Sequence, residues 1–298
     1  MIERDLIGYG PDLPKVRWPG DARIAISVVI NYEEGSEYSM LDGDSHRETN
    51  GEVPSPMPME ARDLLNESMF EYGSRVGVWR LMRLLDKYDI KASFFCCALA
   101  IERNRRVGEE IVKGGHEVCG HGYRWEEYYS FTREDEKAAI IKAIHSLKKT
   151  TGQRPETWFT RYGVSGNTRE LMMEIGGFTY DSTALNDDLP YYTKVSGKPM
   201  LVLPYSIEVN DARFWRGGIN STNDFYHYMK DSFDCLYEEG LETPKMMTVG
   251  LHCRIAGRPP RSRAVDQFLQ YARTFPNVWF ARRIDIARWW QQHYPAPA

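Results

Sequence analysis

The sequence lacks any long apolar run. No stretch of the 298 residues approaches the ~20 consecutive apolar side chains that a membrane-spanning helix requires. The first residues, Met1–Asp5, include charged side chains and no apolar stretch of signal-peptide length. We therefore expect a soluble, cytoplasmic protein with no membrane partner.

Positive charge is not in surplus either. The 38 Lys and Arg residues are outnumbered by 42 Asp and Glu, the formal net charge is −4, and the two signs are interspersed along the chain. A nucleic-acid-binding face or a polybasic tail for anionic lipid needs clustered positive charge. We therefore expect no nucleic-acid partner.

Cysteine is scarce and shows no pairing pattern. An odd number of cysteines without CxxC spacing fits neither a disulfide framework nor a thiolate metal cluster. We expect reduced and mostly buried thiols at all five positions, which are Cys96, Cys97, Cys119, Cys235 and Cys253.

The content of apolar side chains, 42%, is sufficient for one large core, and we expect a single domain over residues 1–298. Short β-branched or aromatic runs alternate with longer amphipathic runs, which indicates parallel β/α units in an α/β barrel or barrel-like sheet. The predicted strands are Ile24–Ile30, Ala92–Cys97, Glu117–Cys119, Thr157–Thr160, Met200–Leu203, Met246–Leu251 and Val278–Phe280. The predicted helices are Gly77–Tyr88, Ile101–Lys113, Glu134–Thr150, Arg169–Ile175, Asp224–Glu239 and Arg263–Thr274.

One segment interrupts this alternation. Residues Glu37–Met59 follow the first predicted strand and are polar and rich in Gly and Pro. An insertion of this length is often a lid over a site or a contact with another subunit, and a solvated surface loop is the alternative. Asp42, Asp44 and His46 lack the ligand spacing of a calcium loop, and we expect them to be exposed.

Polar side chains recur where the predicted strands end. In a parallel β/α barrel, catalytic groups gather at the carboxyl ends of the strands, where the following loops converge. We therefore expect one pocket to be formed by Glu33 and Glu34, His121, Arg161, and His252 and Arg254.

Three motifs carry a resemblance to a known family: Asn31-Tyr32-Glu33-Glu34, His121 followed four residues later by Trp125, and Leu251-His252-Cys253-Arg254. They resemble the polysaccharide deacetylase (NodB-homology) superfamily, whose first motif, Thr-Phe-Asp-Asp, supplies a base and a metal ligand. Its second motif supplies two metal-binding histidines, and its late Leu-His motif supplies the general acid. The resemblance implies a distorted (β/α) barrel of the NodB-homology type, with residues 37–59 as an inserted loop after the first strand.

More narrowly, the chain resembles the allantoinase branch of this superfamily. The resemblance extends over nearly the whole chain, in Asp5–Gly10, Glu71–Gly77, Asn186–Tyr191 and Arg282–Ala287. It implies a metal-independent hydrolase of cyclic amides, either allantoin-like ureides or cyclic imides, that forms a homotetramer. The segment Phe159–Thr168 departs from the shorter Gly-Arg-Thr segment of that branch, and this leaves the identity of the ring open.

Trp125 carries the argument against a metal independently of the resemblance. Indole nitrogen is a donor-only N–H with no lone pair to offer a cation. A tryptophan where a second histidine ligand is needed leaves the set of metal donors incomplete. We therefore predict no metal and no other cofactor.

The residue types suggest roles in opening a cyclic amide, which needs a base, an acid and a partner for the developing oxyanion. Glu33 or Glu34 is the predicted base, and His121 and His252 are predicted acids or polarising groups. The predicted substrate-binding residues are Arg161 or Arg254 for a carbonyl, Trp125 as an apolar wall, and Tyr32. The alternatives are an inter-strand salt bridge for the arginines, a place in the core for Trp125 and packing for Tyr32.

Two other functions remain open at this stage. In a metal-dependent carbohydrate N-deacetylase, Glu34 and His121 would survive as ligands. A non-catalytic relative would bind a small molecule or act as a scaffold, but it has little reason to retain a candidate base together with His252.

Overall fold

The computed structural model describes residues 4–296, apart from the side chain at position 216. Within this range the chain is a single-domain α/β fold whose curled sheet forms a half-barrel, as predicted. The strands are β1 (Ile24–Tyr32), β2 (Ser93–Cys96), β3 (Glu117–Gly120), β4 (Thr157–Trp158), β5 (Tyr180–Asp181), β6 (Tyr191–Val195), β7 (Lys198–Val202), β8 (Lys245–His252) and β9 (Val278–Phe280). Their order is β6-β7-β5-β4-β3-β2-β1-β8, and β9 also pairs with β1, so the sheet remains open between β6 and β8.

Strand β1 is the centre of the sheet. All nine of its residues are buried, in keeping with its β-branched composition. It pairs in parallel with β8 over eight residues, with β9 at its start and with β2 at its end. The carboxyl ends of β1, β2, β3, β4 and β8 therefore lie at one edge of the half-barrel.

The seven predicted strands are confirmed, but β5 and β6 were not predicted. β5 has two residues, which is too short for a periodic pattern. β6 pairs antiparallel with β7 through a turn at Ser196-Gly197, where both residues have left-handed φ values of 49° and 76°. Such a turn favours a hairpin, and the Ser-Gly pair is the signal from which β6 was predictable.

The helices are α1 (Leu64–Tyr72), α2 (Val78–Lys87), α3 (Ala98–Arg103), α4 (Arg105–Lys113), α5 (Arg133–Thr151), α6 (Thr168–Ile175), α7 (Arg213–Arg216), α8 (Thr222–Glu239), α9 (Pro259–Ala272) and α10 (Arg283–His293). The prediction of one helix over Ile101–Lys113 was wrong. Asn104 leaves the helical conformation, with φ −135° and ψ 75°, and its side-chain amide donates to Ser74 Oγ at 2.9 Å. None of the helices within residues 4–296 is long and apolar enough to cross a membrane.

Residues 37–59, which we call the strap, cross the carboxyl edge of the sheet and are held there by arginines from four other parts of the fold. Arg103, Arg124, Arg161 and Arg261 pair with Asp42, Asp44, Glu48 and Glu52, respectively. Asp42 and Asp44 are half-buried in these pairs, and His46 is also half-buried, so the expectation that the three are exposed was wrong. The strap is therefore an ordered wall of the carboxyl edge, unlike a solvated loop.

Candidate active site

A cavity of about 390 Å³ opens at the carboxyl edge of the sheet. Its polar lining includes Asn31, Glu33, His121, Thr160, Arg161 and His252. Its apolar lining includes Trp125, Phe159, Val164, Leu185, Ile207 and Trp215. The predicted convergence of strand-end side chains is thus found here, and five of the eight predicted site residues line the cavity.

Glu33 lies at the centre of the polar lining and is 1% exposed. Its Oε1 is 3.2 Å from Nε2 of His121 and 3.4 Å from Nε2 of His252. Its Oε2 is 2.6 Å from Nη1 of Arg254, an ion pair without hydrogen-bond alignment. Burial alone would raise the pKa of Glu33, but the positive charges of Arg254 and His252 hold it well below its usual range. The carboxylate is therefore anionic at neutral pH and faces two imidazoles.

Glu34 is equally buried but does not line the cavity. Its Oε2 accepts a hydrogen bond from the backbone N–H of Glu33 at 3.0 Å, and its Oε1 accepts one from the backbone N–H of Arg254 at 3.0 Å. Burial raises the pKa of Glu34, Arg254 opposes this, and Glu33 adds to the increase. β1 ends at Tyr32, and Glu34 lies in a turn that the Ser36 N–H closes on the Glu33 carbonyl oxygen, so only Glu33 reaches the cavity. Glu34 instead joins the end of β1 to the loop that follows β8.

Glycine makes room for Glu34. Residues Gly73–Gly77 form a π-helical turn between α1 and α2. A Cβ atom on Gly73 would lie 2.4 Å from Glu34 Oε1, and one on Gly77 would lie 2.0 Å from the carbonyl oxygen of Cys253. Neither contact is tolerable, so the Glu71–Gly77 motif is explained by the close packing of this turn against the loop that carries Arg254.

His252 is held by Asp211, a residue that the sequence reasoning missed. Nδ1 of His252 is 2.6 Å from Oδ1 of Asp211, and the backbone N–H of His252 donates to Oδ2 at 2.7 Å. Burial opposes the charged imidazole, but Glu33 and Asp211 outweigh it and raise the pKa of His252 to about 9. His252 is therefore protonated at neutral pH, with Nε2–H directed at Glu33.

His121 is oriented by the backbone of the next strand. Its Nδ1 is 2.6 Å from the carbonyl oxygen of Phe159, and its ring stacks on the Phe159 ring with 5.4 Å between centroids. A carbonyl oxygen only accepts, so Nδ1 carries a hydrogen. Nε2 is consequently the atom that faces Glu33 and the cavity.

Trp125 packs against two buried arginines. The guanidinium carbon of Arg161 lies 3.7 Å from the Trp125 ring centroid, and that of Arg254 lies 4.8 Å from it. Arg161 donates to both carboxylate oxygens of Glu48 on the strap, at 2.8 and 3.1 Å, and to the Trp125 carbonyl oxygen at 2.6 Å. Arg161 therefore lines the cavity, but its guanidinium already donates hydrogen bonds to Glu48 and to the Trp125 carbonyl oxygen. Arg254 lies behind Glu33 and outside the cavity lining.

Tyr32 is placed away from the cavity, contrary to its predicted role in substrate binding. Its side chain is fully buried among the core residues, and its hydroxyl forms a hydrogen bond with Ser74 Oγ at 2.8 Å. The alternation of β1 directs Asn31, not Tyr32, to the cavity. Packing, the alternative role for Tyr32, agrees with this position.

The donor set does not fit the metal that the deacetylase motifs imply. Trp125 offers no lone pair, both oxygens of Glu34 accept backbone hydrogen bonds, and His252 carries a proton at neutral pH. Among residues 4–296, no group of three His, Cys, Asp or Glu side chains has an arrangement suited to a metal ion. These residues therefore do not form the metal site that the deacetylase motifs imply.

Comparisons with known proteins agree with this architecture. The polysaccharide deacetylase family profile matches residues 67–180. A Schizosaccharomyces pombe protein named "Putative polysaccharide deacetylase" is 38% identical over 319 aligned positions, which cover 99% of each chain.

Two solved structures match the whole chain. One is a probable polysaccharide deacetylase from Pseudomonas aeruginosa PAO1, with a TM-score of 0.95 and 46% identity over 99% of this chain and 100% of that one. The other is a PuuE allantoinase, with a TM-score of 0.95 and 45% identity over 100% of both chains.

Proposed function

This chain belongs to the polysaccharide deacetylase family, and on that premise we propose that it hydrolyses a small cyclic amide, either an allantoin-like ureide or a cyclic imide, without a metal ion. The observation that carries the proposal is the position of Glu33, whose Oε1 lies within 3.4 Å of both His121 and His252 in a cavity of about 390 Å³. Its similarity to the PuuE allantoinase supports a hydrolase of this type.

Glu33 has the charge and position of a general base. It takes a proton from a water molecule whose oxygen attacks the ring carbonyl carbon, and the carbonyl becomes a tetrahedral oxyanion. When the intermediate collapses, the ring C–N bond breaks and the leaving nitrogen takes the proton of His252 Nε2. Glu33 Oε1 lies 3.4 Å from His252 Nε2, so Glu33 then passes the proton that it took from water to His252. This transfer restores the charged Glu33 and the protonated His252.

Thr160 is placed to stabilise the oxyanion, and His121 does so as the imidazolium, in which Nε2 carries a hydrogen in addition to the one that Nδ1 donates to Phe159. Thr160 lines the cavity, and its buried hydroxyl has no hydrogen-bond partner in the part of the chain that the structure describes. A buried hydroxyl without a partner is costly unless a ligand satisfies it, so Thr160 supports the binding of a substrate carbonyl.

The shape of the cavity supports a flat ring. Its volume lies at the small end of the range of about 300–1,000 Å³ for ligand pockets, which suits a five- or six-membered heterocycle better than a sugar polymer. Trp125, Phe159 and Trp215 supply aromatic surface beside the polar lining.

The test is a substrate panel that contains allantoin, hydantoin, succinimide, maleimide, dihydrouracil and an N-acetylglucosamine oligomer. We expect the purified protein to open at least one ring, seen as a mass gain of one water and, for maleimide, as a loss of ultraviolet absorbance. Release of acetate from the oligomer with no ring opened would overturn the proposal in favour of a carbohydrate deacetylase.

A further inference from the structure

Three exposed apolar side chains lie at the mouth of the cavity, although its floor is polar. Val164, Leu185 and Ile207 all line the cavity, and they are 48%, 57% and 47% exposed. They come from three separate loops, which follow β4, β5 and β7. A single exposed apolar side chain needs no explanation, but three that surround one opening mark a binding surface.

We propose that these three side chains select rings that carry an apolar substituent over rings that carry a polar one. This inference rests on the proposed function, since it concerns the part of a cyclic amide that lies away from the scissile bond. In this arrangement the ring carbonyl accepts a hydrogen bond from Thr160, its carbon faces the water that Glu33 activates, and its substituent lies toward the mouth, where Val164, Leu185 and Ile207 line the cavity.

Two polar side chains of the cavity lining, Arg161 and Asn50, already donate to partners within the protein, so their N–H groups offer little to a polar substituent. Arg161 donates to Glu48, and the side-chain amide of Asn50 donates to Glu48 Oε1 at 2.8 Å and also contacts the Tyr162 hydroxyl. A ureido group that leaves water for this region loses hydrogen bonds that the protein does not replace. An alkyl group loses none and covers the exposed apolar side chains.

A matched pair of substrates isolates this effect. Allantoin is a hydantoin ring with a ureido substituent, and 5-isobutylhydantoin carries a branched alkyl group with the same number of heavy atoms on the same carbon. Each methylene buried against an apolar wall is worth about fourfold in binding. We expect kcat/KM for 5-isobutylhydantoin to exceed that for allantoin by about tenfold or more.

Variants at the mouth connect the preference to these side chains. In the double variant Leu185→Asn/Ile207→Asn, the ratio of the two kcat/KM values should fall toward one. The control is Leu241→Asn, because Leu241 is 65% exposed but precedes β8 and lies at the opposite end of the sheet. In the Leu241→Asn variant, the ratio of the two kcat/KM values should equal that of the unmodified protein.

The outcomes separate this inference from the function on which it rests. The same pair of substituents is tested on a succinimide ring, so that a protein that opens only imides is still examined. If rings are opened but the ureido substrate is used as well as the isobutyl substrate, the inference is overturned and the proposed function stands. If no ring of either type is opened, both are overturned.

Discussion

The guanidinium of Arg254 lies 2.6 Å from the carboxylate of Glu33, and both side chains are 1% exposed. An isolated carboxylate at this depth would take up a proton, because burial disfavours its charged form. Arg254 prevents this, and Phe70, Trp125 and Trp215 pack around its guanidinium within 4.8 Å. Arg254 therefore keeps Glu33 charged until it takes the proton from water, and the other carboxylate oxygen is directed at the two imidazoles.

The first prediction separates the two adjacent glutamates. Glu33→Gln removes the carboxylate that faces the cavity, and we expect kcat to fall by about 10²- to 10⁴-fold, as for loss of a general base. Glu34→Gln alters a buried side chain that holds two backbone N–H groups, so it should lower the melting temperature more than it lowers kcat. Steady-state kinetics and thermal unfolding of both variants provide the measurements.

The control for both substitutions is Glu67→Gln on α1, which breaks only a solvent-exposed pair with Arg62. It should change neither kcat nor the melting temperature noticeably. Equal loss of kcat in the Glu33 and Glu34 variants would contradict the assignment of Glu33 as the base.

The second prediction concerns the pH dependence of catalysis. His252 must be protonated to act as the acid, and its pKa is raised to about 9 by Glu33 and Asp211 despite burial. We therefore expect kcat to fall as the pH rises through about 9. Asp211→Asn removes one of the two charges that raise this pKa, so the alkaline limb of the kcat profile should move to lower pH. A limb that stays in place in this variant would exclude His252 as its source.

The raised pKa of His252 also affects stability. A histidine whose pKa rises from its ordinary 6.5 to about 9 on folding binds its proton more tightly in the folded state. Its contribution to the free energy of unfolding is fully present below pH 6.5 and is lost as the pH rises to about 9. In Asp211→Asn this pH-dependent part of the free energy should shrink, which urea unfolding between pH 6 and pH 10 would measure.

The sequence was sufficient to predict the site residues at the strand ends, but it did not reveal Asp211, which lies beside His252. Glu33 and His121 directly follow strands with clear β-branched or apolar patterns, and His252 is the last residue of such a strand, so parallel topology alone brings them together. Asp211 follows no named strand and is fixed by a backbone bond from its N–H to the carbonyl oxygen of Gly250. No local motif encodes such a contact, so it is visible only in three dimensions.

The sequence also did not show which side chains of β1 point into the cavity. β1 is buried on both faces, and so hydrophobicity does not show which of its residues face the cavity. Tyr32 was consequently assigned to the substrate and Asn31 was overlooked. Arg161 was correctly placed at the cavity, but its partner Glu48 lies 113 residues away in the strap, a distance over which residue patterns carry no pairing information.

The third prediction is that chelation leaves the activity intact. The indole of Trp125, the engaged oxygens of Glu34 and the protonated His252 do not form a metal site, so ring opening should persist after dialysis against EDTA. Activity on the best substrate of the panel is measured before and after EDTA treatment, with the metal content determined on the same samples. Loss of activity on chelation and its return with zinc would show that a metal takes part.

The fourth prediction concerns the strap and its buried ion pair. Glu48 and Arg161 are each 3% exposed in their side chains, whereas the Glu52–Arg261 pair of the same strap is exposed to solvent at 27% and 19%. Glu48→Gln leaves Glu127, 3.0 Å away, as the carboxylate that still pairs with Arg161 among the described residues, and it should lower the free energy of unfolding by about 2–3 kcal/mol. Glu52→Gln should cost less than about 1 kcal/mol. Limited proteolysis should cut within residues 37–59 faster in the Glu48 variant alone; equal cutting rates in both variants would mean that the buried pair does not hold the strap.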